Sequence, residues 1–205
     1  MIKKQKNSLR ILAAGDLHGS GKVAKDLAAK AKKENVDLVV LAGDLHGMYE
    51  TEEIIEPFKK NNQKVVFVPG NWDSSIEVDL LTYEHGIKNI DAYYVTYNGI
   101  DIVGFGNPDF NLSPKDEFVF KKLNKNFERI KTKSGKKILV SHLHAAGTKA
   151  EKFGIPGSEG LRKVVERFHP DILISAHIHE AEGIEDLIGK TKVFQVGKKG
   201  KIIDV

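Results

Sequence analysis

Apolar runs of four or five residues, each too short for a helix and each closed by glycine or polar residues, recur along the chain. Leu9 to Ala13, Leu38 to Leu41 and Lys64 to Val68 are the first three. Their continuous apolar character predicts strands buried on both faces, as in a parallel sheet covered by helices. Between the first two, Val23, Leu27, Ala28 and Ala31 recur at helical spacing, predicting a helix over Val23 to Lys33. A second helix is predicted to open at Thr51, where acidic residues fill the first turn and suit the helix dipole. The pattern then changes. Asn98-Gly99 between Tyr93 to Thr96 and Ile100 to Gly104 is a type I′ hairpin signal, so an antiparallel pair follows the β-α alternation. Ser113-Pro114 before Lys115, Asp116 and Glu117 predicts a long helix, with proline at its first position and Asp116 in a weak capping pattern. Strands return at Lys137 to Val140, Ile172 to Ser175, Gly183 to Ile188, Thr191 to Val196 and Lys201 to Val205, with a helix over Ser158 to Phe168. The reading is an α/β fold that mixes parallel and antiparallel strands.

Composition narrows the class. A chain of 205 residues, 40% hydrophobic and 29% charged, can bury roughly 70% of its unfolded surface as one domain. No low-complexity linker divides it, so residues 1–205 are expected to form a single unit. Without cysteine there is no disulfide framework, thiolate metal site or cysteine nucleophile. Any metal must then be held by nitrogen and oxygen, which selects Mn, Fe, Zn, Ni or Co. The basic Met1 to Arg10 is followed by apolar Ile11 to Ala14 before Gly15 and Asp16, too short for a signal peptide or membrane span. A cytoplasmic protein with no membrane partner is expected. The net charge of +4 comes from lysine runs such as Lys30 to Lys33, Lys131 to Lys137 and Lys198 to Lys201, without interleaved aromatics. Solvated surface is favoured over a nucleic-acid footprint, although the mild positive field would draw phosphate esters.

The candidate chemistry sits at strand ends. The hexapeptide Ala-Gly-Asp-Leu-His-Gly occurs at Ala14 to Gly19 and again at Ala42 to Gly47, each time directly after an apolar run. A carboxylate and an imidazole delivered together, with glycines to bend the backbone, is what a metal site in an α/β protein needs. Metal-ligand residue types then follow in order: Asp16 and His18, Asp44, Asn71, His142, His177 and His179. The 28 residues from Asp16 to Asp44 and the 27 from Asp44 to Asn71 match one β-α-β unit, so these loops should converge on one sheet edge. His177 and His179 share a face if their segment is extended. His85 before Gly86 and His169 before Pro170 read as helix-end residues.

The ordered set Asp-x-His, Gly-Asp, Gly-Asn, Ser-His and His-x-His resembles the calcineurin-like metallophosphoesterases. His177-Ile178-His179-Glu180, followed by Gly183, Ile188-Gly189 and Thr191, is similar to the small predicted-phosphoesterase branch related to cyclic-nucleotide phosphodiesterases. The resemblance implies a four-layer α-β-β-α sandwich of two mixed sheets flanked by helices. It also implies a dinuclear phosphoesterase attacking phosphate esters with a metal-bridging hydroxide. Asp16, His18 and His179 would hold one metal, Asn71, His142 and His177 the other, and Asp44 would bridge both.

Three departures from the family pattern stand out. Gly70-Asn71-Trp72-Asp73 carries tryptophan where many members have a histidine that protonates the leaving group. Asp73 loses its usual histidine partner and is left to cap the helix beginning near Ser74. Ala176 replaces the glycine before His177, tolerable if it keeps a negative φ. Gln195-Val196-Gly197 stands where relatives have Asn-Pro-Gly. His46 and His144, each two residues beyond a ligand, are the candidates to replace the missing acid; the alternative for both is to orient a ligand. None of the four arginines, Arg10, Arg129, Arg162 and Arg167, lies in a motif loop. A monoester dianion is commonly gripped by a guanidinium, so phosphodiesters are favoured over monoesters. The substrate is expected to be a phosphate-ester small molecule or nucleotide. Phosphomonoesterase or nucleotide pyrophosphatase activity at the same site, and a metal-binding interaction scaffold, are the alternatives.

Overall fold

The computed structural model describes residues 8–47, 53–130 and 135–205. Chain order runs β1 (Arg10–Ala14), α1 (Gly21–Lys33), β2 (Leu38–Ala42), α2 (Glu56–Lys60), β3 (Val65–Val68), α3 (Ser75–His85) and the short β4 (Lys88–Asn89). It continues β5 (Tyr94–Tyr97), β6 (Ile100–Phe105), α4 (Asp116–Arg129), β7 (Lys137–Ser141), α5 (Glu159–Phe168), β8 (Ile172–Ser175), β9 (Glu185–Ile188), β10 (Thr191–Gln195) and β11 (Lys201–Asp204). One sheet has the order β11-β1-β2-β3-β4 and the other β5-β6-β7-β8-β10-β9. In each, a parallel centre carries an antiparallel edge: β11 on β1, and β5 and β9 on the second sheet.

Alternation along the strands decides the layering. Ile11, Ala13, Val40, Val66 and Val68 of the first sheet meet Ile102, Ile138, Val140, Ile174 and Phe194 of the second in one buried core. The intervening residues Leu12, Val39, Leu41 and Phe67 pack under α1, α2 and α3. Val103, Leu139, Leu173 and Val193 pack under α4 and α5. The result is the expected α-β-β-α sandwich. Each fully buried Leu, Ile or Phe contributes about 1.5–3 kcal/mol of transfer free energy to it. Phe127 of α4 stacks on Phe168 of α5, ring centroids 4.7 Å apart, and closes the second helical layer.

Local signals hold where a few residues settle the backbone. Asn98 and Gly99 both have positive φ, 50° and 80°, and Tyr97 pairs with Ile100 across the hairpin. Gly86 ends α3 at φ 62°, and His169 ends α5 in the same left-handed region. Other expectations shift. Pro114 is not the first helical residue of α4, because Lys115 is the N-cap and carries no side-chain cap. Asp116 caps a different helix, accepting from Ser158 Oγ and the Gly160 backbone N–H at the start of α5, both at 2.7 Å. The strand predicted from Gly183 begins only at Glu185. The helix start expected at Thr51, and Lys131 of the lysine run, lie outside the described residues. Among the described residues no helix is long and apolar enough to cross a membrane.

Candidate metal centre

The loops after β1, β2 and β3 leave the first sheet, and those after β7 and β8 leave the second, at one end of the sandwich. His142, just past β7, ties the two sheets together there: its Nδ1–H donates to the carbonyl of Ala42, at the end of β2, at 2.8 Å. That bond fixes which nitrogen is left over. Nε2 of His142 faces Asp44 Oδ2 at 3.3 Å and Asn71 Oδ1 at 3.0 Å.

The seven residues expected as ligands are brought together in two overlapping groups. Asp16, His18, Asp44 and His179 each offer a donor atom to one cluster, and Asp44, His142 and His177 to a second, all within 4.8 Å of one another in each. Asn71 joins the second through its contact with His142. His18 Nε2 lies 3.0 Å from His179 Nε2 and 3.8 Å from Asp44 Oδ2. His179 Nε2 lies 3.8 Å from Asp16 Oδ1, and His177 Nδ1 lies 3.2 Å from His142 Nε2.

Convergence is achieved by bent backbone. Asp16, His18, Asp44 and His177 all adopt positive φ, 56°, 49°, 52° and 74°, a conformation that L-residues take at a cost and that clusters at functional sites. Glycines make room: a side chain at Gly70 would run into the Asp44 carboxylate and backbone nitrogen. Ala176 stays out of the left-handed region, as its replacement of glycine requires. The extended geometry that would put His177 and His179 on one face does not form. His177 is left-handed and His179 opens a 3₁₀ turn to Ala181, so the imidazoles reach different clusters.

Burial sets the proton balance. Desolvation pushes the Asp16 carboxyl up to about 6, against the pull of His142 and His179. Burial lowers His142, but the hydrogen bond and charge of Asp44, with Asp16 and the Ala42 carbonyl, outweigh it and lift the imidazole to about 9. His177 is pushed down to about 4 by burial and then by His142. Burial raises Asp44, but His142 and the backbone N–H of Trp72, which donates to Oδ1 at 2.9 Å, outweigh it and hold the carboxyl below the usual carboxylate range.

Asp73 does not cap α3. Ser74 is the N-cap, in a reciprocal capping box with Glu77. The buried Asp73 carboxylate instead accepts from the backbone N–H groups of Gly70, Leu45 and His46 and meets Nδ1 of His46 at 2.9 Å. It joins the loop after β2 to the loop after β3. His144 is placed differently: its Nε2 meets the Ile155 carbonyl at 3.1 Å, and its Nδ1 is buried without a partner. Trp72 stands edge-on to His18 at 5.9 Å and to Phe110 at 5.8 Å. Sequence reading missed the structural part played by Asp73. His18 is lowered chiefly by burial, with His179 and Lys198 adding to it against the pull of Asp44.

Comparison with known proteins follows the geometry. The family described as calcineurin-like phosphoesterase matches residues 9–181. Protein TT1561 of Thermus thermophilus is structurally similar, with a TM-score of 0.73 at 16% identity over 95% of this chain and 98% of that one. A dimetal phosphatase from Danio rerio gives a TM-score of 0.62 at 13% identity, covering 93% and 88%. Purple acid phosphatase PPD1 from yellow lupin gives 0.54 at 14%, covering 94% of this chain and 44% of that one. Among curated proteins none is significantly similar. These likenesses show a shared fold, and the match over residues 9–181 makes the chain a member of the calcineurin-like phosphoesterase family.

Proposed function

We propose that the chain hydrolyses phosphate esters, phosphodiesters in preference to monoesters, with two divalent transition-metal ions. The observation that supports this most is Asp44, whose carboxylate belongs to both donor clusters. In this reading Asp16, His18 and His179 would hold one ion and Asn71, His142 and His177 the other, with Asp44 contributing to both. The residues suit such ions: all donors are nitrogen or oxygen, Asp16 Oδ2 is buried without a partner, and His142 has one nitrogen already committed to Ala42. When bound, a pair of such ions activates water and neutralises phosphoryl oxygens.

The chain's own groups do the remainder. The backbone N–H of Trp72 holds Asp44 Oδ1 and fixes the rotation of the shared carboxylate. His46, oriented by Asp73, is the group assigned to protonate the leaving oxygen. His144, with Nε2 engaged by Ile155, positions the loop that follows it. Diesters are favoured because no arginine lies in a motif loop or lines the cavity beside the donor clusters.

Metal-reconstituted protein assayed on bis-aryl diesters, aryl monoesters, cyclic nucleotides and nucleotide pyrophosphates tests the reading. The expected result is faster turnover of aryl diesters than of matched monoesters. A tenfold higher kcat/KM for the monoesters would overturn the diester preference, and full activity after thorough chelation would overturn the metal mechanism.

A further inference from the structure

Beside the metal centre lies a cavity of about 450 Å³ that reaches it through His177, which lines the cavity and belongs to the second donor cluster. The rest of its wall is largely aliphatic, including Leu112, Pro114, Leu143, Ile155 and Pro156. Several of its polar groups are already engaged with protein. Ser158 Oγ donates to Asp116 Oδ1 at 2.7 Å, and His144 Nε2 meets the Ile155 carbonyl. No Phe, Tyr or Trp lines the cavity among the described residues; its two aromatic rings are the imidazoles of His144, engaged by the Ile155 carbonyl, and His177, which belongs to the donor cluster. The Asp116 carboxylate at the wall disfavours a second anionic group.

From this we infer that the cavity takes an uncharged aliphatic ester group, one of the two alcohols of a phosphodiester whose phosphate lies at the donor clusters beside His177. The inference rests on the phosphoesterase reading and adds to it the class of one substituent. Volume, lining and position act together: a pocket of this size shelters a chain of several carbons, and each methylene fully removed from water favours binding about fourfold.

The test uses methyl p-nitrophenyl phosphate and hexyl p-nitrophenyl phosphate, which share a leaving group, with Mn²⁺ supplied. The hexyl ester should show at least tenfold higher kcat/KM. Leu112 and Ile155 are 64% and 45% exposed, so Leu112→Asp and Ile155→Asp should fold, as thermal melting will verify. In both variants the hexyl-to-methyl ratio should fall toward one. Binding of methylphosphonate and hexylphosphonate, read from the fluorescence of the single tryptophan, gives a measure independent of turnover. Equal rates on both esters would overturn the aliphatic pocket and leave the phosphoesterase reading standing. Tighter binding of hexylphosphonate with no turnover of either ester would support the pocket and overturn the phosphoesterase reading. Absence of both turnover and chain-length dependence would overturn the two together.

Discussion

Nδ1 of His46 lies 2.9 Å from Oδ1 of Asp73, a buried imidazole–carboxylate pair built from two different motif loops. Asp73 stands in the segment where relatives place a histidine, and His46 comes from the second copy of the repeated hexapeptide. The pair gives His46 a fixed orientation in the loop that also carries Asp44. If His46 protonates the leaving group, His46→Ala should lose about 10² in rate on alkyl diesters and far less on activated aryl diesters, which leave without a proton. His144→Ala, at a residue whose Nε2 is engaged by Ile155, should slow both substrates alike. Equal losses on both substrates for His46→Ala, with no gain from Trp72→His, would show that no protein acid is used.

Asp73 also holds backbone. Its carboxylate is the acceptor for the N–H groups of Gly70, Leu45 and His46 in a site that is 1% exposed. Asp73→Ala would leave these donors without their acceptor, and the expected loss of stability is about 3 kcal/mol. Denaturant unfolding of the metal-free protein measures it; a loss within the scatter of surface substitutions would contradict the part assigned to Asp73.

Because Asp44 belongs to both clusters and Asn71 meets only the second, their substitutions should differ in stoichiometry. Asp44→Ala is expected to bind neither ion and to lose nearly all turnover. Asn71→Ala should keep one ion tightly bound. Elemental analysis after gel filtration distinguishes the two, and full occupancy in Asp44→Ala would remove it from the bridging position.

Metal affinity should rise with pH. A cation needs Asp16 as carboxylate and His142 neutral, yet burial pushes Asp16 up to about 6 and the Asp44 partnership lifts His142 to about 9. Binding therefore displaces protons below those values, and affinity should climb from roughly pH 5 to pH 9. The effect on the metal-free fold runs the other way, because the pair that a metal must displace stabilises it. His142 has a raised pKa, so its contribution is complete below the ordinary 6.5 and is lost as pH rises through about 9. The increase in Tm on adding Mn²⁺ should be larger at pH 9 than at pH 6; the reverse order would refute the assignment.

How far the sequence reached can be judged from particular residues. Asp16, Asp44 and Asn71 were legible because a β-α-β unit of fixed length returns the chain to the same sheet edge, and apolar runs marked the strands that precede them. Asn98-Gly99 was legible because a two-residue hairpin with both φ positive selects those residues. Both inferences use information held within a short stretch of chain. The remaining features depend on side chains meeting across long separations. Asp116 reaches a helix start 42 residues away, and Asp73 turns from its own helix toward His46. His177 leaves extended geometry for a left-handed turn, which sends it and His179 to different clusters. Periodicity could place the strands and their loops, but only the packing of one sheet on the other could decide which side chains at their ends face each other.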